Sequence, residues 1–306
     1  MTRPSRFKVA VLVASFNGRQ WIAEQFDSIL NQLDVDVQVF VSDDCSIDDT
    51  WAWLSQMSLS YSNISLLSRN DRFGSAGSNF YRLITEVDTR GFDFVAFSDQ
   101  DDLWDIDKLS RHIKLLQVHN ADSISSNVIA FWPDGAQQLI VKSQPQRKFD
   151  YLFESAGPGC TFLMTPRLVA KVRDVLRDVP AAKAVSLHDW LTYAVARASG
   201  LKWIIDSRPS ILYRQHAHNV VGANTSLQAK WIRIKKMREG WYRQQVAAVS
   251  QVAYAINHKP EIGTLLSILP STSWGSRLRL LRYAWHGRRS VFDRWALMVS
   301  ILLGFF

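Results

Sequence analysis

Three carboxylates stand together in Ser98-Asp99-Gln100-Asp101-Asp102-Leu103-Trp104, directly after the apolar run Phe92-Asp93-Phe94-Val95-Ala96-Phe97. That run reads as a buried strand, so the acids fall on the loop beyond its carboxyl end, where open α/β sheets bind ligands. Oxygen donors crowded so closely suit Mg²⁺ or Mn²⁺, ions that keep one or two carboxylates and complete their shell with water and a substrate diphosphate. The segment therefore implies a phosphorylated substrate. The plainer alternative is a capping turn, with Asp105 or Asp107 at the head of a helix over 108–119.

Other polar residues fall at equivalent places. Asp43 follows the run Val37-Gln38-Val39-Phe40-Val41-Ser42, and a carboxylate there is placed to accept the imide N–H of uracil or thymine, a proton that cytosine lacks. Ser15 and Asn17 follow the run Lys8-Val9-Ala10-Val11-Leu12-Val13-Ala14 and can frame the same base and its ribose. The stretch 43–50 also reads as an N-cap turn, and the two roles are compatible. Arg72 stands beside Gly74 and Gly77 just before a helix, a cation on a loop of the kind that cradles phosphate.

The elements that must hold these loops show as alternation. Strand 8–14 is followed by apolar residues at helical spacing over 20–33, strand 37–42 by a helix over 51–57, and strand 64–67 by a helix over 78–87 and the strand 92–97. Near-continuous apolar strands alternating with helices predict an α/β fold, a Rossmann-like parallel sheet covered on both faces, as a nucleotide-binding half over 1–105. From 106 to 224 the pattern turns mixed: a helix to about His119, a strand over 124–132, the turn Pro133-Asp134-Gly135, a strand over 138–142 and a Gly157-Pro158-Gly159 turn. Such a stretch suits an acceptor-binding half. Beyond it, 225–306 reads as helices broken at Pro260 and Pro270, with 277–285 basic and amphipathic. The apolar end, 295–306, falls short of the roughly 20 residues a spanning helix needs and reads as an interfacial anchor or a docked helix.

The chain has 306 residues, 47% of them hydrophobic, without repeats, and its net charge of +8 is unevenly spread. Residues 225–306 carry 13 Lys or Arg against 3 Asp or Glu, a balance of +10 that leaves −2 for residues 1–224. Trp231, Trp241, Trp274, Trp285 and Trp295 are interleaved with those cations, as in segments lying in the headgroup layer of an anionic membrane. Nucleic acid is the rival partner for a basic surface, and the Trp-rich apolar end speaks against it. Cys45 and Cys160 offer neither a disulfide framework nor a zinc spacing and read as small buried residues of a reducing compartment. The start runs into a strand with no secretory signal, which predicts a cytoplasmic location.

Five blocks in order carry a resemblance over about 7–222: Ala14 to Gly18, Val41 to Thr50, Asn70 to Phe80, Ser98 to Trp104, and His188-Asp189-Trp190. Together they resemble a family 2 inverting glycosyltransferase of the GT-A fold, with a mixed central sheet. The Ser-Asp-Gln-Asp-Asp-Leu-Trp form is most similar to bacterial enzymes that add rhamnose or a related sugar in cell-surface polysaccharide assembly.

The resemblance implies a metal-dependent transferase. It assigns the donor nucleotide, a dTDP- or UDP-sugar, to Ser15, Asn17, Asp43, Asp44, Arg72, Asp99 and Gln100. It assigns Mg²⁺ or Mn²⁺ to Asp99, Asp101 and His216, and the closing loop to His218 and Asn219. Asp102, Trp104, Gly159, Cys160, His188 and Trp190 would line the sugar or acceptor. Asp189 matches the catalytic base, with His188 as rival base and a helix cap as the simpler role for Asp189. L-Rhamnose from dTDP-rhamnose is the best-matching donor, and a lipid-linked, O-antigen or lipopolysaccharide-core glycan the acceptor. The enzyme would sit on the cytoplasmic face of the inner membrane. A processive polysaccharide synthase is the nearest enzymatic alternative, but its Gln-x-x-Arg-Trp block is lacking. A nucleotide-sugar or nucleic-acid binder without catalysis is the alternative from another class, and the intact acids oppose it.

Overall fold

The computed structural model describes residues 6–69, 72–216 and 239–306. Its contacts divide the chain into two compact units: Met1–Ser143 with Gly157–Asp174 and Leu201–Val220, and Gln144–Ala156 with Val175–Gly200 and Val221–Phe306. This differs from the composition boundary at residue 224. Segments read above as part of an acceptor half, 144–156 and 175–200, belong with the C-terminal helices.

In the first unit the first strand lies inside the sheet, between two parallel neighbours. Phe7–Ser15 (β1) is buried from Val9 onward, as a run without alternation must be when both faces are covered. It pairs in parallel with Val35–Asp43 (β2) on one side and Phe94–Ser98 (β4) on the other, and β2 pairs in parallel with Ile64–Leu66 (β3). The register sets Ser15 opposite Asp43 and Val13 opposite Ser98, so three loops leave the sheet at one edge.

Helices supply the crossovers: Ile22–Leu30 (α1), Thr50–Ser60 (α2) and Ala76–Glu86 (α3). Ile22, Phe26 and Ile29 put one face of α1 into the core with Val9, Val11 and Val13. Truncating a side chain such as Phe26 there would cost about 3–5 kcal/mol. Ser75 caps α3 by accepting the Ser78 N–H.

The rest of the unit makes the sheet mixed. Leu163–Met164 (β9) runs antiparallel between β4 and Ser123–Ser126 (β6), and Trp203–Asp206 (β10) extends β6 in parallel, giving seven strands in the order β10-β6-β9-β4-β1-β2-β3. A second sheet joins Leu103–Trp104 (β5), Ile211–Arg214 (β11), Val128–Phe131 (β7) and Gln137–Ile140 (β8) in the order β5-β11-β7-β8. Between β5 and β6 lies Lys108–His119 (α4).

The single strand expected over 124–132 is therefore two strands in two sheets, parted at Asn127. Its buried amide replaces the missing ladder: Oδ1 accepts from the N–H groups of Lys142 at 2.6 Å and Ser143 at 3.0 Å, and Nδ2 donates to the Ser207 carbonyl at 2.8 Å.

The second unit is helical. It holds Asp150–Phe153 (α5), His188–Ala198 (α7), Trp241–Asn257 (α8), Pro260–Ile268 (α9), Trp274–Gly287 (α10) and Val291–Leu303 (α11), while Pro166–Asp178 (α6) spans the division between units. At its centre the fully buried Asp150 carboxylate accepts from Tyr193 Oη at 2.9 Å, Arg197 Nη1 at 3.0 Å and Arg289 Nη1 at 3.3 Å. A buried charge is tolerable only when so paired. Gly287 lets α10 approach α5, since a β-carbon there would fall 2.5 Å from the Phe153 ring. Among the described residues no helix is long and apolar enough to cross a membrane.

Candidate functional site

The loops at the carboxyl edge of the first sheet are locked to one another by side chains. Beyond β1, Asn17 adopts φ +50° and its Oδ1 accepts the Ile47 N–H at 2.9 Å, while its own N–H donates to Ser46 Oγ at 2.8 Å. Gln100, from the acidic loop, closes a second link. Its Oε1 accepts the Phe16 N–H at 2.8 Å and the Ser15 hydroxyl at 3.2 Å, and its Nε2 donates to the Phe16 carbonyl at 2.8 Å. Gly18 is required beneath this amide, because a β-carbon would fall 2.2 Å from Oε1. Gln100 thus ties the first loop in place, and its amide is spent on that backbone rather than held out toward a ligand.

The two acids after β2 are also committed to local donors. Asp43, 3% exposed, accepts the Ser46 N–H at 2.9 Å and the Ser46 hydroxyl, with Arg69 Nε 3.9 Å away. Asp44, equally buried, accepts the N–H groups of Phe73 and Gly74, the latter at 2.9 Å. It therefore positions the glycine loop that precedes α3. Arg72 lies on that loop with its guanidinium 4.4 Å from the centre of the Phe16 ring. Asn70 and Asp71, which share the sequence block with it, lie outside the described residues.

The acids after β4 are arranged differently. Ligand atoms of Asp99, Asp102 and Cys160 all lie within 4.8 Å of one another. Asp101 Oδ2 meets His216 Nε2 at 2.7 Å, and that imidazole stacks on Trp21 at 4.1 Å. The partner of the loop is β11. Its antiparallel pairing with β5 sets Leu212 opposite Leu103, and Arg214 then donates its N–H to Asp102 Oδ1 at 3.1 Å and its Nε to the Asp101 carbonyl at 2.8 Å.

Burial, reinforced by the neighbouring Asp101 and Asp99, holds the Asp102 carboxyl well above the usual carboxylate range. Burial and the same acids push the Cys160 thiol up. A thiol kept protonated leaves carboxylate oxygens as the donors, and crowded hard oxygens fit Mg²⁺ or Mn²⁺ rather than a thiolate-seeking metal.

Several residues assigned to a sugar or acceptor by the resemblance are buried. Asp102 and Cys160 have no exposed surface, and Trp104 is 5% exposed within the apolar core. Trp104 is turned inward by the pairing of β5 with β11, and Cys160 lies against Asp102. Gly159 is buried too, opening a single 3-10 turn over Gly159–Thr161. Behind them Lys108 is fully buried with Nζ 3.2 Å from the centre of the Trp104 ring, and burial pushes its ammonium down to about 7. His112, one turn along α4, is buried as well and held well below its ordinary value.

In the second unit, His188, Asp189 and Trp190 open α7. Trp190 is a core residue, its indole N–H donating to the Tyr151 carbonyl at 3.0 Å. His188 is buried, which drives its imidazole down to about 3 and keeps it neutral at any ordinary pH. Asp189 is the half-exposed member. It accepts the Trp190 N–H at 2.7 Å, but the N-cap position belongs to Leu187. A carboxylate in a first helical turn lies at the positive end of the helix dipole. His218 and Asn219 lie outside the described residues.

Arg214, Trp21 and Lys108 were not singled out beforehand. Arg214 reaches the acids and Trp21 the His216 ring through contacts distant in sequence, and a lysine on a helix is read as solvated by default.

Residues 10–163 match the model of the family described as glycosyl transferase family 2. The chain is 40% identical over 296 residues, 96% of its length and 100% of the relative's, to dTDP-rhamnosyl transferase RfbG of Shigella flexneri. Among solved structures it is similar to S. aureus TarS 1-349 in complex with UDP, with TM-score 0.55 and 16% identity, covering 98% of this chain and 80% of that one. It is similar also to the mannosyltransferase PcManGT of Pyrobaculum calidifontis, in complex with GDP-Man and Mn²⁺, with TM-score 0.53, 16% identity, and 98% and 86% of the two chains covered.

Proposed function

The chain belongs to glycosyl transferase family 2, and from that premise we propose that it moves L-rhamnose from dTDP-rhamnose to a lipid-linked or lipopolysaccharide-core glycan, with inversion, on the cytoplasmic face of a membrane. The donor reading is carried by the similarity along the whole chain to a dTDP-rhamnosyl transferase. Thymine and ribose would be received by the loops of Ser15, Asn17 and Asp43, which the Gln100 amide and Ser46 hold in register. The diphosphate would lie along the Gly74 loop that Asp44 fixes, beside Arg72.

Asp99, Asp101 and His216 would hold the divalent cation, with Asp102 beneath them. When bound, that ion supplies positive charge against the negative charge building on the departing nucleoside diphosphate. The acceptor hydroxyl forms its bond to the anomeric carbon as the bond from that carbon to the diphosphate breaks, and its proton passes to the Asp189 carboxylate. His188, neutral by burial, supports the turn rather than competing for the proton.

Calorimetric titration with dTDP-rhamnose, UDP-glucose and UDP-N-acetylglucosamine, each with Mg²⁺ and with EDTA, tests the donor. Metal-dependent binding strongest for dTDP-rhamnose is expected, and preference for a UDP-sugar would overturn the donor assignment. Asp189→Asn should keep donor affinity and lose about 10²–10⁴-fold in turnover. Unchanged turnover would remove Asp189 from the base role.

A further inference from the structure

The last two helices of the second unit form an antiparallel hairpin whose outward face exposes large apolar side chains. At one end Arg277 on α10 donates Nη1 to the Leu302 carbonyl on α11 at 3.1 Å, and at the other the rings of Trp285 and Trp295 meet at 5.9 Å. The inner faces pack through Leu280, Ala284, Leu297 and Ile301, all buried. The outer faces carry Trp274, Leu278 and Trp285 from α10, and Phe292, Trp295 and Val299 from α11, each between 38% and 79% exposed. These recur at spacings of three, four and seven residues, so each helix shows one stripe, and the Trp285–Trp295 contact joins the stripes into one patch.

A soluble surface seldom leaves so much apolar area open without a use. The charge on it chooses the partner. Arg279 and Arg282 are exposed on α10. Asp293 is the one acid in 274–306, and Arg288 neutralises it at 3.1 Å. A second copy of the chain would set arginines against arginines across a two-fold contact. A bilayer with anionic headgroups would instead take the indoles at its interface and the guanidinium groups at its phosphates.

We propose that the α10–α11 hairpin docks on an anionic lipid surface through the stripe joined at Trp285 and Trp295, with Arg279 and Arg282 as its charge contacts. This rests on the reading that the enzyme works at a membrane, and it names the surface that does so.

The test is flotation of the full chain with phosphatidylcholine vesicles that contain or lack phosphatidylglycerol, without donor or acceptor, at low and at raised salt. Wild type should float with the anionic vesicles and be released by salt. Arg279→Gln with Arg282→Gln should lower that partitioning about 30-fold, and Phe292→Ser with Trp295→Ser at least about tenfold. All four positions are exposed, so melting temperature and turnover on a water-soluble acceptor should be unchanged. If wild type floats and both pairs of substitutions float equally well, this surface is wrong and the membrane reading stands. If wild type does not float, both fall. If the Phe292 and Trp295 substitutions convert a dimer to a monomer without affecting flotation, the surface belongs to a second copy, and the lipid assignment is overturned.

Discussion

Two acidic loops flank β1, one after β2 and one after β4, and they treat their carboxylates in opposite ways. Asp43 and Asp44 face N–H and O–H donors from Ser46, Phe73 and Gly74, so their charge is spent on holding backbone. Asp99, Asp101 and Asp102 lie close to one another, to a thiol and to an imidazole, with Arg214 bridging Asp101 and Asp102. Two acid-rich segments of similar spelling thus do different work. What separates them is the supply of donors: the first pair meets N–H and O–H groups, whereas in the second neighbouring charges reinforce burial in raising Asp102, the arrangement on which the proposed cation site rests.

The largest expected effect tests the second loop. Asp101→Asn should lower turnover about 10³-fold by weakening cation-assisted departure of the diphosphate, while thermal stability holds or rises because a repelling charge is gone. A loss of stability alongside activity would show that Asp101 is scaffold and erase the contrast. Next comes the first loop. Asp44→Ala removes a buried carboxylate from two N–H donors and should cost about 3 kcal/mol in urea unfolding, with donor binding weakened but still metal-dependent. Loss of metal dependence there would assign Asp44 to the cation as well.

The smallest effect lies behind the second loop, where burial keeps His112 neutral. Its folded pKa is below the unfolded value of about 6.5, so as pH falls through that value the unfolded chain takes up a proton that the folded chain refuses. Stability then declines. Wild type should lose up to about 1.4 kcal/mol per pH unit relative to His112→Leu between pH 6.5 and 5. A constant difference measured by denaturant unfolding would mean that His112 is solvated.

Strands β1 and β4 were readable in advance because burial on both faces leaves a near-continuous apolar run, and helices α1 and α3 keep one buried face at helical spacing. Hydropathy could not reveal the break at Asn127, since both β6 and β7 are apolar and only the amide network marks the change of sheet. The acidic loop and Asp189 stand out from residue type and place. The backbone partners of Gln100 do not, because its amide meets Phe16, 84 residues away. The burial of Trp104 and Trp190 is hidden for a related cause: an aromatic ring beside a motif looks like a sugar platform until strand pairing or helix packing turns it inward.

The Asp150 cluster constrains the order in which the chain becomes a protein. Asp150 and Arg289 are separated by 139 positions, so on a ribosome adding about 5–20 residues per second the acid waits on the order of ten seconds for its guanidinium. During that interval Asp150 has Tyr193 and Arg197 for partners but not the buried guanidinium of Arg289. The final helices are therefore not a removable tether. Deleting them would leave a nascent chain with a finished sheet and an unfinished partner, and loss of activity in such a truncation would report on folding before it reported on lipid.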